Sequence, residues 1–466
     1  MRFWLASAMV AGGAWTFSAR GDYALSTIVG FTGANGSHPR GGLVLGTDGY
    51  FYGTTVDGGA NGLGTIYRMS PGGDFTTLYS FEGGTNGANP SAALIQGADG
   101  DFYGTAYSGG GSNVGTVFRF STNGVLTTLA SLSGTNGAHP DVALVQAADG
   151  SLLGCASDGG PDTRANPDGG HGFGSIFRVT TNGTLTALVL FNCVNGATPC
   201  GLIHGSDGNY YGTTVWGGRT YVSSQFLGFG TVFQLTNGVR NKLYGFTGDN
   251  DGGFVRAGLA EGADGAFYGA TAFGGVNKVG TVFRITPQGA FSNLVAFTGN
   301  NGSFPYAALT WGGDGYWYGT TYQGGYYTCG TVFRLSSAGA FSSLAYFPGG
   351  EQSSYPRSAL VRGPDGNFYG TTVGGGPSGY GTVFRFSALQ PPTVRGLAPF
   401  PGGVRISCAT VPYQAYKLQY VTHLGDTNWR DVGSPVLATN STATVWDPDP
   451  GDPQRFYRAV LLPPKQ

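Results

Sequence analysis

The chain has 466 residues, with 24 Lys and Arg against 25 Asp and Glu, for a formal net charge of −1. That balance excludes the basic footprint of a nucleic-acid binder and offers no general attraction to an anionic membrane. Only 11 % of residues are charged, while 87 are Gly and 14 % are aromatic. The aromatics are too many and too regularly placed for a disordered chain, so the glycines read as turns between short strands.

Met1-Arg2, the apolar run Phe3 to Phe17 and then Ser18-Ala19-Arg20 give a basic start, a short apolar core and small residues. This is the pattern of a secretory signal peptide over residues 1–19 and predicts a secreted or cell-surface protein, with the periplasm as an alternative. The apolar run is short for a membrane span and contains Gly12 and Gly13, so no transmembrane segment is expected in the mature chain. Leu25 to Phe31 then reads as a single strand with nothing strand-like before it.

From residue 48 one module recurs. Asp-Gly followed by a strand, usually aromatic, begins at Asp48, Asp99, Asp149, Asp207, Asp264, Asp314 and Asp365, at intervals of 51, 50, 58, 57, 50 and 51 residues. Each copy continues as approximately Phe-Tyr-Gly-Thr-Thr, a Gly-Gly loop, Gly-Thr-Val-Phe-Arg, a turn, and a strand such as Phe75 to Phe81. Asp-Gly is favoured hairpin-turn chemistry, and four short strands at this period are the signature of a propeller blade. The seventh copy stops after its third strand, Gly381-Thr-Val-Phe-Arg385, and the lone strand Leu25 to Phe31 matches the fourth strand it lacks. The expected fold is therefore all-β: a seven-bladed β-propeller of four-stranded blades over residues 24–388, its last blade closed by the N-terminal strand.

The long intervals come from two insertions, Gly160 to His171 and Arg219 to Phe226, both in the loop class that follows the second strand. Among the five cysteines no spacing suggests zinc, and no cofactor is called for. Cys193 and Cys200 bracket a short loop, so a disulfide between them is expected in an oxidising compartment. After Gln390-Pro391-Pro392 the repeat ends, and residues 389–466 read as a small C-terminal β-sandwich-like domain with Trp429 as its core anchor. The acidic run Asp447 to Asp452 reads as a solvated turn, with a Ca²⁺ site the less favoured alternative.

The recurring Asp-Gly-x-Phe-Tyr-Gly-Thr-Thr and Gly-Thr-Val-Phe-Arg motifs, over about residues 24 to 388, resemble the Gloeo/Verruco (GloVer) tandem repeats of exported bacterial proteins. The resemblance implies export and a repeat scaffold. It implies no particular chemistry.

Repetition separates scaffold from site. The Asp of each Asp-Gly turn and the Arg ending Gly-Thr-Val-Phe-Arg recur and read as a structural polar ladder. Variable positions on the opposite face are better site candidates. Just after the Pro that leads into each copy stand Arg40, Ser91, Asp141, Cys200, Arg256, Tyr306 and Arg357 (Arg256 follows Val255 instead). If this strand is innermost, these residues ring the mouth of a central channel. Before the Pro lie His38 and His139, and before Gly-Gly lie Asp57, Asp158 and Trp216. The insertions add Arg164, His171 and Arg219. Arginines, aromatics and amides in loops on one face suit an extended polar ligand. The leading expectation is an exported binding or surface-interaction protein recognising an anionic polysaccharide or a cell-surface component. Two alternatives stay open: a polysaccharide-degrading enzyme, and a structural envelope protein. The enzyme would be a lyase using His38 or His139 with Tyr306 and Arg40, or a glycoside hydrolase using two of Asp141, Asp158, Asp162 and Asp168.

Overall fold

The computed structural model describes residues 16–17, 23–162, 164, 169–192, 194–218, 228–388, 393–400, 403–410, 415–423, 428–437, 442–448 and 455–461. The expected signal peptide lies almost entirely outside the described residues. Among the described residues no helix is long and apolar enough to cross a membrane.

The repeats fold as four-stranded antiparallel sheets, each strand pairing with the next in sequence. In the first repeat the order is Val44–Leu45, Phe51–Thr55, Thr65–Met69, Phe75–Ser80, and five further sheets repeat it through Phe341–Tyr346. The last sheet holds Val361–Arg362, Phe368–Gly375 and Thr382–Ala388, and its next strand is Tyr23–Gly30 from the N-terminus. One backbone bond recurs through the series. Phe81 donates its N–H to the Gly64 carbonyl, and Leu132, Phe191, Phe246, Phe297 and Phe347 repeat that bond to their own Gly-Thr-Val glycine; Phe31 makes it to Gly381.

The motif is explained by packing. The third-strand aromatic of Gly-Thr-Val-Phe-Arg is fully buried in every repeat, as Tyr67, Phe118, Phe177, Phe233, Phe283, Phe333 and Phe384. The tip of its ring abuts the Gly of the Phe-Tyr-Gly strand: a Cβ on Gly319 would stand 2.5 Å from Phe333 Cζ, and one on Gly370 would stand 2.6 Å from Phe384 Cζ. Only glycine allows that approach. Because both faces of each sheet are apolar, sheets must stack. One cluster joins Tyr52, Ile66 and Phe81 to Leu94, Phe102 and Phe118 of the next repeat, and another joins Tyr211 and Val232 to Leu259 and Phe283. Each fully buried Phe contributes about 1.5–3 kcal/mol.

The first and seventh repeats touch in the same way. The Phe51 and Tyr369 ring centroids are 4.4 Å apart. Thr371 Oγ1 donates to the Gly41 carbonyl at 3.2 Å, and Tyr369 Oη donates to the Pro71 carbonyl at 3.2 Å.

The polar ladder departs from expectation. Arg284 does pair with the turn carboxylate of Asp264 at 2.7 Å, and Arg178 pairs with Asp149. Arg119, however, turns chiefly to Asp101 at 2.5 Å, while Arg68 and Arg334 lie over the Tyr50 and Tyr316 rings. The steadier partner of the turn Asp is the Tyr four residues on. Tyr52, Tyr103, Tyr211, Tyr268 and Tyr318 donate to Asp48, Asp99, Asp207, Asp264 and Asp314 at 2.6–3.1 Å.

The C-terminal segment forms two three-stranded sheets. One is Thr393–Phe400, Gly403–Ala409 and Thr442–Asp447; the other is Arg430–Leu437, Ala415–Val421 and Phe456–Leu461. They share one apolar cluster, with Val404, Ile406 and Cys408 from the first and Leu418, Val432 and Tyr457 from the second. Trp429 is not the core anchor: it is half-buried, with the Arg458 guanidinium 4.0 Å from its ring centroid. Asp447 is no solvated turn residue either. It is buried and accepts from Arg455 at 2.7 Å and Tyr457 at 2.8 Å; the rest of the acidic run is outside the described residues, apart from Pro448.

Candidate functional site

The residue before each connecting Pro has an unusual backbone. His38, Asn89, His139, Thr198, Phe304 and Tyr355, and Phe254 at the equivalent point, all have φ between 50 and 60°. This left-handed conformation is costly for non-glycine residues, and a following proline disfavours helical conformations further. Each is held by its neighbour. Asn89 donates its N–H to Leu63, His139 to Val114, Thr198 to Phe173, Phe254 to Phe229, Phe304 to Val279 and Tyr355 to Cys329; His38 donates to Tyr380.

The turned backbone aims these side chains at the residue preceding Gly-Gly, because short bridges such as Ser37–Asp57, Ala138–Asp158 and Gly253–Phe273 fix the two loops side by side. The result divides the face in two. In the first three repeats the pairs are polar: His38 Nδ1 is 3.0 Å from Asp57 Oδ2, and His139 Nδ1 is 2.8 Å from Asp158 Oδ2. In later repeats aromatic contacts take over: the Phe254–Phe273 pair has centroids 5.6 Å apart, and Trp216–Phe254 at 4.5 Å and Phe273–Phe304 at 4.9 Å link it to the repeats on either side. Tyr306–Tyr322 and Tyr322–Tyr355 continue the series at 5.1 and 5.2 Å. This pairing of two variable positions was not read from the sequence, although His with Asp in copies one and three, and Phe with Phe in copy five, signals it.

On the polar side opens a cavity of about 600 Å³, lined among others by Arg40, Ser91, His139, Asp141, Asp158, Thr198, Arg256 and Arg357. Three arginines from the first, fifth and seventh repeats thus meet two aspartates from the third, Asp141 and Asp158. Among the described residues neither Arg40 nor Arg357 forms an ion pair. Burial, then the charges of Arg40 and Arg256, push the Arg357 guanidinium below its ordinary value. Its guanidinium lies 5.4 Å from the centroid of the Tyr306 ring. Burial raises the Tyr306 phenol, and Arg256 and Arg357 oppose the rise. Asp141 is pushed up to about 6, first by the surrounding protein and then by Asp158, against the pull of Arg357 and Arg256. Its side chain is open to the cavity, and water there works against that rise. Ser91 Oγ and the Thr198 hydroxyl are buried on the cavity wall without a hydrogen-bond partner among the described residues. A cluster of like charges and orphaned hydroxyls is a cost that a bound anion removes.

Other expected residues lie apart. His38 packs edge-on against Tyr380 outside the cavity lining. Arg164 is ion-paired with Asp162 at 2.5 Å, and His171 is exposed. Gly169 and Gly170 bring the first insertion to the cavity rim. Arg219, Asp168 and Cys193 lie outside the described residues. The disulfide expected between Cys193 and Cys200 falls there with it; the Cys200 thiol lies 3.0 Å from the Arg256 carbonyl oxygen. Among the described residues no group of His, Cys, Asp and Glu forms a metal cage.

A family model described as the Gloeobacter/Verrucomicrobia repeat matches residues 6–219 and 220–407. No curated protein matches the chain. Among solved structures, a catalytically inactive virginiamycin B lyase from Staphylococcus aureus with quinupristin is similar in fold. The two are 15 % identical, the match covers 78 % of this chain and 99 % of the other, and the TM-score is 0.52. Puromycin hydrolase is similar at 11 % identity over 83 % of this chain and 62 % of its own length, with a TM-score of 0.50. At these identities the likeness is one of fold alone.

Proposed function

Since the chain belongs to the Gloeobacter/Verrucomicrobia repeat family, we propose that it is an exported binding protein whose seven sheets close into a propeller and whose axial cavity holds a carboxylated polysaccharide. Closure is supported by the bond of Phe31 to Gly381, the seventh member of a series made within each repeat elsewhere, and by that of His38 to Tyr380, the seventh member of a series made between successive repeats. The observation that carries the function is the meeting of Arg40, Arg256 and Arg357 around one cavity, where of the two aspartates Asp158 is already paired with His139. Guanidinium groups pair with carboxylates through two parallel hydrogen bonds, which favours planar carboxylates over spherical anions. The half-exposed aromatic series beside the cavity offers faces on which sugar rings stack, and the polar pairs on the other side offer donors and acceptors to hydroxyls.

The test is titration of the purified protein with polygalacturonate, alginate and a neutral galactan at low and high salt. The carboxylated polymers should bind and should weaken as salt rises, since screening shortens to about 3 Å at 1 M. Equal binding of the neutral polymer would contradict the reading. For export, protein recovered outside the cytoplasm should begin after Ala14 or Ala19, as N-terminal sequencing will show.

A further inference from the structure

We propose that the same cavity is catalytic: His139, oriented by Asp158, removes the proton from the carbon bearing a hexuronate carboxylate held by Arg40 and Arg357, and the glycosidic bond breaks by β-elimination. This rests on the anion-binding reading and adds chemistry to it.

The base is prepared by its surroundings. Asp158 is buried, and its Oδ2 stands 2.8 Å from His139 Nδ1. That contact assigns the ring proton to Nδ1 and leaves the Nε2 lone pair available, the arrangement of an oriented general base. Nε2 has no hydrogen-bond partner among the described residues. The imidazole is stacked on Tyr107, with centroids 4.5 Å apart and planes at 19°. Its backbone is held at φ 55° before Pro140. All seven equivalent residues share this conformation, so it belongs to the scaffold and serves here to fix the direction of the ring.

The other requirements of an elimination line the same cavity. A C–H beside a carboxylate becomes acidic only when the carboxylate charge is neutralised, which Arg40 and Arg357 supply. The leaving oxygen needs a proton, and Asp141 lines the same cavity with its carboxyl shifted toward the protonated form by burial and by Asp158. In the step, Nε2 takes the α-proton, the C–H electron pair forms a double bond to the β-carbon, and the bond from that carbon to the glycosidic oxygen breaks. The oxygen takes the Asp141 proton. Solvent then returns a proton from the imidazolium to Asp141, so no water is consumed and nothing is oxidised. Hydrolysis is less well served, because it needs two available carboxylates. Asp158 is committed to His139, and Asp162 to Arg164.

The full-length exported protein is incubated with polygalacturonate and alginate while the ultraviolet absorbance of the new conjugated double bond is followed and the products are weighed by mass spectrometry. Unsaturated ends without added water are expected. His139→Gln should lower the rate at least about 10²-fold with binding retained, as loss of a general base does. Asp158→Asn should lower it too and displace the pH profile, which a purely structural role would not do. Should the variants unfold, a slower elimination by the wild-type protein from polymer deuterated at the α-carbon provides the independent readout of proton abstraction. Polymer bound but never cleaved overturns the inference and leaves the anion-binding reading standing. Saturated products carrying water, or full activity in His139→Gln, also overturn it, and no binding to either polymer defeats both readings.

Discussion

Asp141 shows how a single residue reports on the site. Its carboxyl is raised to about 6, so the folded protein holds that proton more tightly than the unfolded chain does. The stabilisation is complete below the ordinary carboxylate value near 4 and is lost as pH rises through about 6. Thermal unfolding of the wild type should therefore show stability falling across that window, and Asp141→Asn should flatten the slope. Ionisation of Asp141 also removes one unit of positive charge from the cavity. Affinity for a carboxylated ligand should accordingly be higher at pH 5 than at pH 7.5, and Asp141→Asn should narrow the difference. His139 lies in the same cavity, so the comparison with the variant isolates the aspartate. The sequence disclosed Arg40, Asp141, Arg256 and Arg357 because they vary at a position where the scaffold does not. It did not disclose that Asp158 fixes His139, because that contact depends on a bridge between two loops rather than on spacing along one.

Within a blade, the second and third strands carry a recurring hydroxyl pair. Thr55–Thr65, Thr214–Thr231, Thr271–Thr281, Thr321–Thr331 and Thr372–Thr382 are joined Oγ1 to Oγ1 at 2.7–2.9 Å. In the second repeat Ala106 takes the first position and leaves the Thr116 hydroxyl buried without a partner. Restoring the pair with Ala106→Thr should raise stability by about 0.5–1.5 kcal/mol, read from denaturant unfolding. The Tyr–Asp clasp gives a second check. Tyr268→Phe should cost about 0.5–1.5 kcal/mol, whereas Arg284→Ala, which breaks a half-exposed ion pair, should cost about 0.2–1 kcal/mol. The strands themselves were legible from Asp-Gly turns and alternating aromatics. The Tyr–Asp contact went unread because the repeated Arg offered an electrostatically obvious partner, while a tyrosine in a Phe-Tyr-Gly strand reads first as core.

For the whole molecule, the repeat count and the missing fourth strand at one end were visible in the sequence, and they led to the expectation of a closed ring. On that account, removing residues up to Phe31 exposes a sheet edge, and the truncated protein should aggregate. A monomeric truncation with unchanged thermal unfolding would show that the strand is dispensable. The C-terminal sheets were foreseen in outline only. Their core is built on Tyr457 and Ile406 rather than Trp429, since weak alternation in a single copy gives no repetition to separate core from surface.

Closure and function meet in the arginines, for Arg40, Arg256 and Arg357 come from three separate repeats and share a cavity only when those repeats are brought round one axis. The most direct measurement is calorimetric titration of polygalacturonate into the wild type and into a variant with all three replaced by Ala. The account predicts binding by the wild type and none by the variant, with thermal unfolding of the variant unchanged or raised because like charges are relieved. Undiminished binding by a folded triple variant would contradict it.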